Sequence, residues 1–327
     1  MSELRVEAPA DLVRALKAAR NVALVTHLNP DGDGLGAEAA LALALEALGK
    51  RVAILNNDAT PEQYAFLGLE ERRPQGPFVA DLAVSLDCPV LERLGERGRA
   101  AFQAAPVTVV IDHHVAKEPF GHMVWISTAS CATGEMIEAL LPRLGVALTA
   151  PMATALYAAV VNDTGCFRHS NTDAEVFALA GRLLAAGAES REVNRRLLDE
   201  RPLAMVRLQA HILDRLRVLA HGRAALVAVG VDDLKAFGAT WEDTDGLAES
   251  LRSIAGVEVS AMLRQEGEAK AKLSLRSKYG FDVNVFAGRW GGGGHAKAAG
   301  ATVPMAFEAA VEAVATALEA ALDDRGT

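Results

Sequence analysis

Short runs of β-branched and other apolar residues alternate with helical stretches from Asn21 to about Ala186, and this alternation most constrains the fold. It is the pattern of a doubly wound, mostly parallel sheet, whose strands need helical crossovers. We expect an α/β domain of this kind. The predicted strands are Val22 to Thr26, Arg51 to Leu55, Leu82 to Leu86, Val107 to Ile111 and Met123 to Ile126.

Helix signals fall between these runs. Leu35 to Leu48 ends at Gly49, Thr149 and Pro151 open a helix over Met152 to Val161, and a capping box Thr172-x-x-Glu175 precedes a helix over Val176 to Ala186. Ser190 to Leu219 is charged and helical, which predicts two linking helices, with Pro202 at a first-turn position.

The rest of the chain predicts a smaller α+β domain. Its strands are expected over Ala224 to Val229, Val257 to Leu263 and Lys270 to Leu275, followed by the glycine run Gly291 to Gly294 and a helix from Phe307. We therefore expect three parts: an α/β domain over 1–188, a helical linker over 189–220 and a smaller α+β domain over 221–327.

Composition excludes several classes of protein. The 327 residues are 51% hydrophobic and 23% charged, which is ordinary for a globular chain and argues against disorder. A net charge of -9 argues against a protein that coats long nucleic acid, but leaves short anionic substrates open. No apolar run is long enough to span a bilayer, no secretory signal is evident, and the three cysteines favour free thiols, so we expect a cytoplasmic protein without a membrane partner.

Polar residues that can bind metal follow the predicted strands and one helix. His27-x-x-x-Asp31-x-Asp33 follows the first strand, Asp87 the third and Asp112-His113-His114 the fourth, while Asp163 follows the helix over Met152 to Val161. Open α/β sheets bind ligands at the carboxyl ends of their strands, and hard or borderline cations prefer carboxylate and imidazole ligands. Each motif alone also fits an ordinary turn, and Asp33 also fits a helix cap. Together they predict one two-metal site.

These motifs resemble the DHH phosphoesterase family. The resemblance rests on His27-Leu28-Asn29-Pro30-Asp31-Gly32-Asp33, Ser85-Leu86-Asp87, Asp112-His113-His114 and Asn162-Asp163-Thr164-Gly165. It continues in Gly291-Gly292-Gly293-Gly294-His295 and Ala298-Ala299-Gly300, which are similar to the signature of the DHH-associated substrate domain. In length and arrangement the chain is most similar to the bacterial branch that degrades nanoRNA and dephosphorylates 3'-phosphoadenosine-5'-phosphate (pAp).

The resemblance implies a role for each residue of the site. Asp87 would bridge two Mn²⁺ ions per active site, with His27 and Asp31 on one ion and with Asp33, His113 and Asp163 around the other. Asp112 and His114 would be catalytic, Asp112 by orienting the ligands and His114 by facing the phosphate. Mg²⁺ and Co²⁺ are alternatives, because the same ligands suit other divalent ions.

Substrate contacts are expected mainly in the second domain. Arg276 and His295 can hold a terminal phosphate, and glycines such as Gly292, Gly293 and Gly294 let backbone N–H groups approach an anion. A flexible loop is the alternative for the glycine run. Arg168, close behind Asp163, is a further substrate contact, with a solvated surface residue as its alternative.

The function expected from this resemblance is hydrolysis of short RNA to mononucleotides and of pAp to AMP. The expected partners are short RNA or DNA oligonucleotides and nucleotide bisphosphates, and a homodimer stays open. The alternatives are an inorganic pyrophosphatase or polyphosphatase, a cyclic or linear dinucleotide phosphodiesterase and, last, a non-catalytic nucleotide-sensing module.

Overall fold

The computed structural model describes residues 6–115, 118 and 120–323. Contacts divide the chain into two compact units, Met1–Glu200 and Arg201–Thr327. Each unit has its own sheet and its own apolar cores. Along the described ranges, no helix is both long and apolar enough to cross a membrane.

The first unit contains a five-stranded sheet in which every pairing is parallel. Its strand order is β2-β1-β3-β4-β5, which confirms the predicted doubly wound sheet. The strands are β1 (Asn21–Val25), β2 (Arg51–Ile54), β3 (Leu82–Leu86), β4 (Val107–Asp112) and β5 (Met123–Ile126).

Helices cover both faces of this sheet. Alternate residues of β1 enter different cores: Leu24 packs into the core that contains the helix after β1, and Val25 packs on the other face with Phe102. The helices are α1 (Ala10–Ala18), α2 (Gly32–Ala47), α3 (Gly95–Ala104), α4 (Thr133–Leu144), α5 (Ala150–Asp163), α6 (Ala174–Ala185) and α7 (Ser190–Asn194), and α7 continues as a π-helical turn, Arg195–Asp199. Short 3₁₀ turns lie at Glu62–Leu67, Glu70–Arg72 and Leu91–Leu94.

Helix α2 is buried along almost its whole length, and its glycines make that possible. A Cβ on Gly34 would lie 2.4 Å from the hydroxyl oxygen of Thr26, and a Cβ on Gly36 would lie 2.4 Å from the carbonyl oxygen of Ala155 on α5. Real Cβ atoms do not come so close, so α2 reaches β1 and α5 only because these residues lack side chains.

Three local predictions are wrong. Helix α2 begins at Gly32 rather than Leu35, so Asp33 lies in its first turn and Asp31 is the N-cap. The capping box that begins at Thr172 is wrong, because the Asp173 carboxylate caps α6 and accepts a hydrogen bond from the Val176 N–H. The cap of α2 is two residues before the predicted Asp33, and the cap of α6 is one residue after Thr172. In both helices the cap is an aspartate, because a carboxylate is a strong acceptor at a helix N-terminus.

The second unit contains a six-stranded mixed sheet, which confirms the predicted α+β class. Its strand order is β10-β11-β9-β8-β7-β6. Strands β7 and β8 pair in parallel, and the other described pairings are antiparallel. The strands are β6 (Arg217–Leu219), β7 (Ala224–Val229), β8 (Val259–Gln265), β9 (Ala271–Ser277), β10 (Gly293–His295) and β11 (Ala298–Val303). The helices are α8 (Leu203–Asp214), α9 (Val231–Phe237), α10 (Leu247–Arg252), α11 (Val283–Ala287) and α12 (Phe307–Asp323).

The two predicted linking helices correspond to α7 and α8. The third wrong prediction concerns where the second helix ends, which is Asp214 rather than Leu219. Residues Arg217–Leu219 form an edge strand paired with β7 instead of continuing the helix. Val218 is exposed and Leu219 is buried, which fits a strand whose successive side chains point to opposite faces.

We expect Gly36→Ala to destabilise the protein by about 1–3 kcal/mol, because the added methyl group forces α2 and α5 apart. Gly181→Ala on α6 is the matched control, since its Cβ would meet nothing within 4 Å. The control should be neutral or stabilising by up to about 1 kcal/mol. Urea unfolding of both variants measures the difference, and equal stabilities would show that the α2–α5 contact is not tight.

Candidate active site

The strand order places three functional segments side by side. In a parallel sheet the carboxyl ends of neighbouring strands meet at one edge, and β1, β3 and β4 are consecutive neighbours. His27 follows β1, Asp87 follows β3, and Asp112 ends β4 just before His113 and His114. The site is therefore built where the sheet order reverses, between β1 and β3.

His27 lies close to two carboxylates. Its Nε2 is 3.6 Å from Asp87 Oδ2 and 4.0 Å from Asp31 Oδ1, while its Nδ1 is 2.8 Å from the carbonyl oxygen of Leu28. Because a carbonyl oxygen only accepts, Nδ1 carries a hydrogen, and Nε2 is the ring nitrogen that faces the carboxylates. Asp31 Oδ1 accepts from the backbone N–H of Asp33, which fixes Asp31 as the N-cap of α2.

Asp87 occupies the centre of the site and is almost completely buried. Its φ of 55° is in the left-handed region, which is uncommon for a residue with a side chain. Its Oδ1 accepts from the Thr133 hydroxyl at 3.2 Å and lies 3.4 Å from His114 Nδ1. Burial raises the pKa of Asp87, but the neighbouring imidazoles of His114 and His27 outweigh it and hold the pKa well below its usual range.

Asp33 is held by the N-terminus of α4. Its Oδ2 accepts from the Thr133 N–H at 2.6 Å and its Oδ1 from the Gly134 N–H at 2.9 Å. The residue before α4, Ala132, has no side chain that could cap the helix. The Asp33 carboxylate therefore caps α4 from another part of the chain.

His113 faces three carboxylates at once. Its Nε2 lies 3.6 Å from Asp33 Oδ2, from Asp87 Oδ1 and from Asp163 Oδ2. Its Nδ1 is 3.3 Å from the carbonyl oxygen of Ser130, which orients the ring. Asp163 is the last residue of α5, and burial together with the charge of Asp87 raises its pKa to about 6.

Asp112 supports His114. Its Oδ1 accepts from the backbone N–H of His114 at 3.0 Å and lies 2.9 Å from the ring Nδ1 of the same residue. Burial lowers the pKa of His114, but the bonds to Asp112 and Asp87 raise it to about 11. The imidazole therefore holds a proton inside the acidic cluster.

The donor set fits divalent metal ions. Within the described chain, the buried Nε2 of His113 has no hydrogen-bond partner, and its carboxylate neighbours at 3.6 Å are too far for hydrogen bonds. Two ligands of one cation, each about 2.1 Å from it, lie about 3 Å or more apart. Oxygen and imidazole donors also match the preferences of such ions.

The side chains form two such groups that adjoin at Asp87. One contains His27, Asp31 and Asp87, the other contains Asp33, His113 and Asp163, and the ligand atoms of each group lie within 4.8 Å of one another. A third group joins Asp87 to His113 and His114. The first two are the groups that the family resemblance implies, and the individual ligand roles stay predictions.

The predicted substrate residues are engaged in contacts of their own. In the second unit, the Arg276 guanidinium pairs with Glu249 and also donates to the carbonyl oxygen of Leu275. In the first unit, Arg168 Nε donates to the carbonyl oxygen of Gly165 at 2.7 Å. A phosphate would have to compete with these partners, and both substrate roles stay predictions.

The glycine run is a strand edge rather than a free loop. Gly293 and Gly294 belong to β10, together with the exposed His295. The Gly294 N–H donates to Asn284 Oδ1 and the Gly292 N–H to the carbonyl oxygen of Ala287. A Cβ on Gly292 would lie 2.2 Å from the carbonyl oxygen of Gly300, so close packing of the hairpin already requires glycine there.

Sequence reasoning missed several residues that hold the site. Thr133 and Gly134 fix Asp33, and Asn171 Nδ2 donates to the carbonyl oxygen of Asp163 at 3.2 Å. Thr133 and Gly134 follow Asp33 by 100 and 101 positions, so no local pattern indicates the contact. The signal that could indicate this contact is the N-terminus of α4, where Ala132 offers no capping side chain.

Glu38 on α2 was missed as well. It is completely buried, its Oε2 accepts from Asn56 Nδ2 at 2.7 Å, and Asn56 Oδ1 accepts from the Thr26 N–H at 2.9 Å. The chain from Glu38 to Thr26 thus supports the end of β1 just before His27. Burial raises the pKa of Glu38 to about 8, although the bond from Asn56 opposes that shift.

The fold and the site define a two-domain α/β protein with a carboxylate and histidine cluster suited to two cations. The family model described as "DHH family, N-terminal domain" matches residues 21–160, and the one described as "DHHA1 domain" matches residues 224–323. The chain belongs to the DHH family.

Curated relatives match along nearly the whole chain. The bifunctional oligoribonuclease and PAP phosphatase NrnA of Thermus thermophilus is 31% identical over 315 residues, covering 93% of this chain and 92% of its own. The protein of the same name from Bacillus subtilis is 26% identical over 296 residues, covering 90% of this chain and 92% of its own.

A solved structure shares the fold. An exopolyphosphatase-related protein from Bacteroides fragilis matches with a TM-score of 0.87 at 24% identity, and the match covers 94% of each chain. At this level of identity the likeness concerns the fold alone.

We expect the stability of the Glu38→Gln variant, relative to that of the parent protein, to increase as pH rises. The native state keeps the Glu38 proton up to about pH 8, whereas the unfolded chain loses it near the ordinary value of 4.5, so the parent loses stability between these pH values. Thermal unfolding with chelator should show a difference between variant and parent that is several degrees larger at pH 8.5 than at pH 4.5. A difference independent of pH would mean that Glu38 does not titrate in this window.

Proposed function

We propose that this protein is a metal-dependent phosphoesterase that hydrolyses very short oligoribonucleotides to mononucleotides and pAp to AMP. The observation that carries the proposal is the convergence of His27, Asp31, Asp33, Asp87, His113 and Asp163 on one edge of the sheet. The substrate class is supported by the relatives named as oligoribonucleases and PAP phosphatases, whose matches cover 93% and 90% of this chain.

The proposed cofactor is a pair of Mn²⁺ ions, with Mg²⁺ and Co²⁺ as alternatives. His27, Asp31 and Asp87 would hold one ion, and Asp33, His113 and Asp163 the other, with Asp87 between them. When bound, such ions supply Lewis acidity, which activates water and offsets the charge of the phosphoryl group.

The residues of the chain have separate tasks in this reaction. Asp112 would keep His114 oriented, and His114 would present a proton towards the oxygen on which negative charge develops. Thr133 and Gly134 would hold Asp33 in place, so that its carboxylate does not reorganise during turnover. The serine and cysteine side chains have no nucleophilic task in this scheme.

We place this activity in the cytoplasm. Cys88, Cys131 and Cys166 are free, which is common for proteins of a reducing compartment. The expected substrates are short RNA or DNA oligonucleotides and nucleotide bisphosphates.

Product analysis tests the proposed substrates. Dinucleotides to pentanucleotides should yield mononucleotides, and pAp should yield AMP and phosphate, with Mn²⁺ but not with chelator. The same protein should leave pyrophosphate and cyclic dinucleotides largely intact. Hydrolysis of pyrophosphate alone would identify a pyrophosphatase, and no hydrolysis of any of these compounds would favour a nucleotide-sensing module.

Single substitutions test the metal ligands. Asp87→Asn and His113→Ala should lower Mn²⁺ affinity by about tenfold or more and remove most hydrolysis, because each removes a ligand atom. His114→Ala should lose turnover by about 10² to 10³ while Mn²⁺ binding remains. Calorimetric titration with Mn²⁺, together with turnover of pAp, measures both effects.

The control for these variants is His122→Ala. His122 lies at the opposite end of the sheet, where its Nδ1 accepts from the Thr108 N–H at 3.1 Å. This variant should bind Mn²⁺ and turn over pAp like the parent protein. Full activity of Asp87→Asn would contradict the bridging role.

A further inference from the structure

We propose that the Arg93 guanidinium contacts a substrate phosphate beside His27 and thereby determines how tightly phosphate-bearing substrates bind. This inference rests on the proposed function and adds a phosphate contact within the first unit. Arg93 lies in the 3₁₀ turn Leu91–Leu94 that follows β3 and Asp87.

The backbone of Arg93 is tied to the site. Its carbonyl oxygen accepts from the Leu28 N–H at 2.6 Å, and its own N–H donates to the carbonyl oxygen of Val90 at 3.1 Å. Leu28 directly follows His27, so the turn that carries Arg93 and the segment that carries His27 are fastened to each other. The start of the Arg93 side chain is therefore fixed next to the acidic cluster.

The guanidinium touches His27 without finding an acceptor there. Arg93 Nη2 is 3.2 Å from His27 Nδ1, but this ring nitrogen already lies 2.8 Å from the carbonyl oxygen of Leu28. The bond to Leu28 requires a hydrogen on Nδ1, so this nitrogen has no lone pair for the arginine. Two donors face each other, and the N–H groups of Arg93 remain available to a ligand.

Arg93 is exposed and lies beside His27 of the acidic cluster, yet among the described residues it forms no ion pair. Several other arginines of this unit pair with a glutamate: Arg72 with Glu46, Arg73 with Glu70, Arg143 with Glu7, Arg182 with Glu138 and Arg195 with Glu192.

A phosphate suits this position better than a carboxylate side chain. The planar guanidinium can donate two parallel hydrogen bonds to two oxygens of one phosphate, and such charge-assisted bonds are stronger than neutral ones. Because Arg93 adjoins the group formed by His27, Asp31 and Asp87, a phosphate brought to that group would lie within reach of the guanidinium.

The test uses AMP, which is the product of pAp hydrolysis and binds without being consumed. We expect Arg93→Gln to weaken AMP binding to the Mn²⁺-loaded protein by about tenfold or more, and Arg93→Lys to weaken it less. Mn²⁺ affinity should be unchanged, and the KM for pAp should rise more than kcat falls. The control is Arg99→Gln, an exposed arginine of α3, which should bind AMP like the parent.

Two results would overturn the inference, and a third would separate it from the proposed function. Equal AMP affinities of Arg93→Gln and Arg99→Gln would show that Arg93 is a solvated surface residue. A parallel loss of Mn²⁺ and AMP affinity in Arg93→Gln would show that Arg93 acts by positioning His27 rather than by touching phosphate. A parent protein that hydrolyses no substrate but binds AMP through Arg93 would refute the proposed function and leave this contact intact.

Discussion

Mutual repulsion among five carboxyl groups is the constraint on which the rest of the site depends. Asp33, Asp87 and Asp112 are buried, and Asp31 and Asp163 lie beside them with partial exposure. Three histidines do not balance this charge, and an uncompensated buried carboxylate is costly. The protein has therefore to provide donors and a place for cations in the same small volume.

The donors come mostly from the backbone. The first turn of α2 donates to Asp31, and the first turn of α4 donates to Asp33. In both helices the N-terminus, which is the positive end of the helix dipole, faces a carboxylate, and this arrangement is favourable. The same carboxylates also lie near the imidazoles, with Asp31 Oδ1 4.0 Å from His27 Nε2 and Asp33 Oδ2 3.6 Å from His113 Nε2. The same interactions that stabilise the fold thus orient the predicted ligands, and tight α2–α5 packing through Gly36 keeps the two elements in place.

The sequence predicts the parallel sheet, and it predicts that the site lies at the carboxyl ends of the strands. Both predictions follow from local sequence pattern. Strand β5 has the predicted bounds, and the ends of β1, β3 and β4 carry the chemistry as expected. The features that the sequence does not predict are those that depend on contacts with other parts of the chain. Asp173 caps α6 one residue beyond Thr172, and β6 forms only because β7 lies beside it. The partnership of Asp33 with Thr133 spans 100 residues, and the ion pair of Arg276 with Glu249 depends on how β9 and α10 pack.

Anomalous diffraction from crystals grown with Mn²⁺ tests the central claim most directly. The account predicts two peaks in the first unit, one among His27, Asp31 and Asp87 and one among Asp33, Asp87, His113 and Asp163. Two peaks that share Asp87 would establish the bimetallic site. No peak at this edge of the sheet, or a single peak that leaves His27 or His113 without a metal, would contradict it.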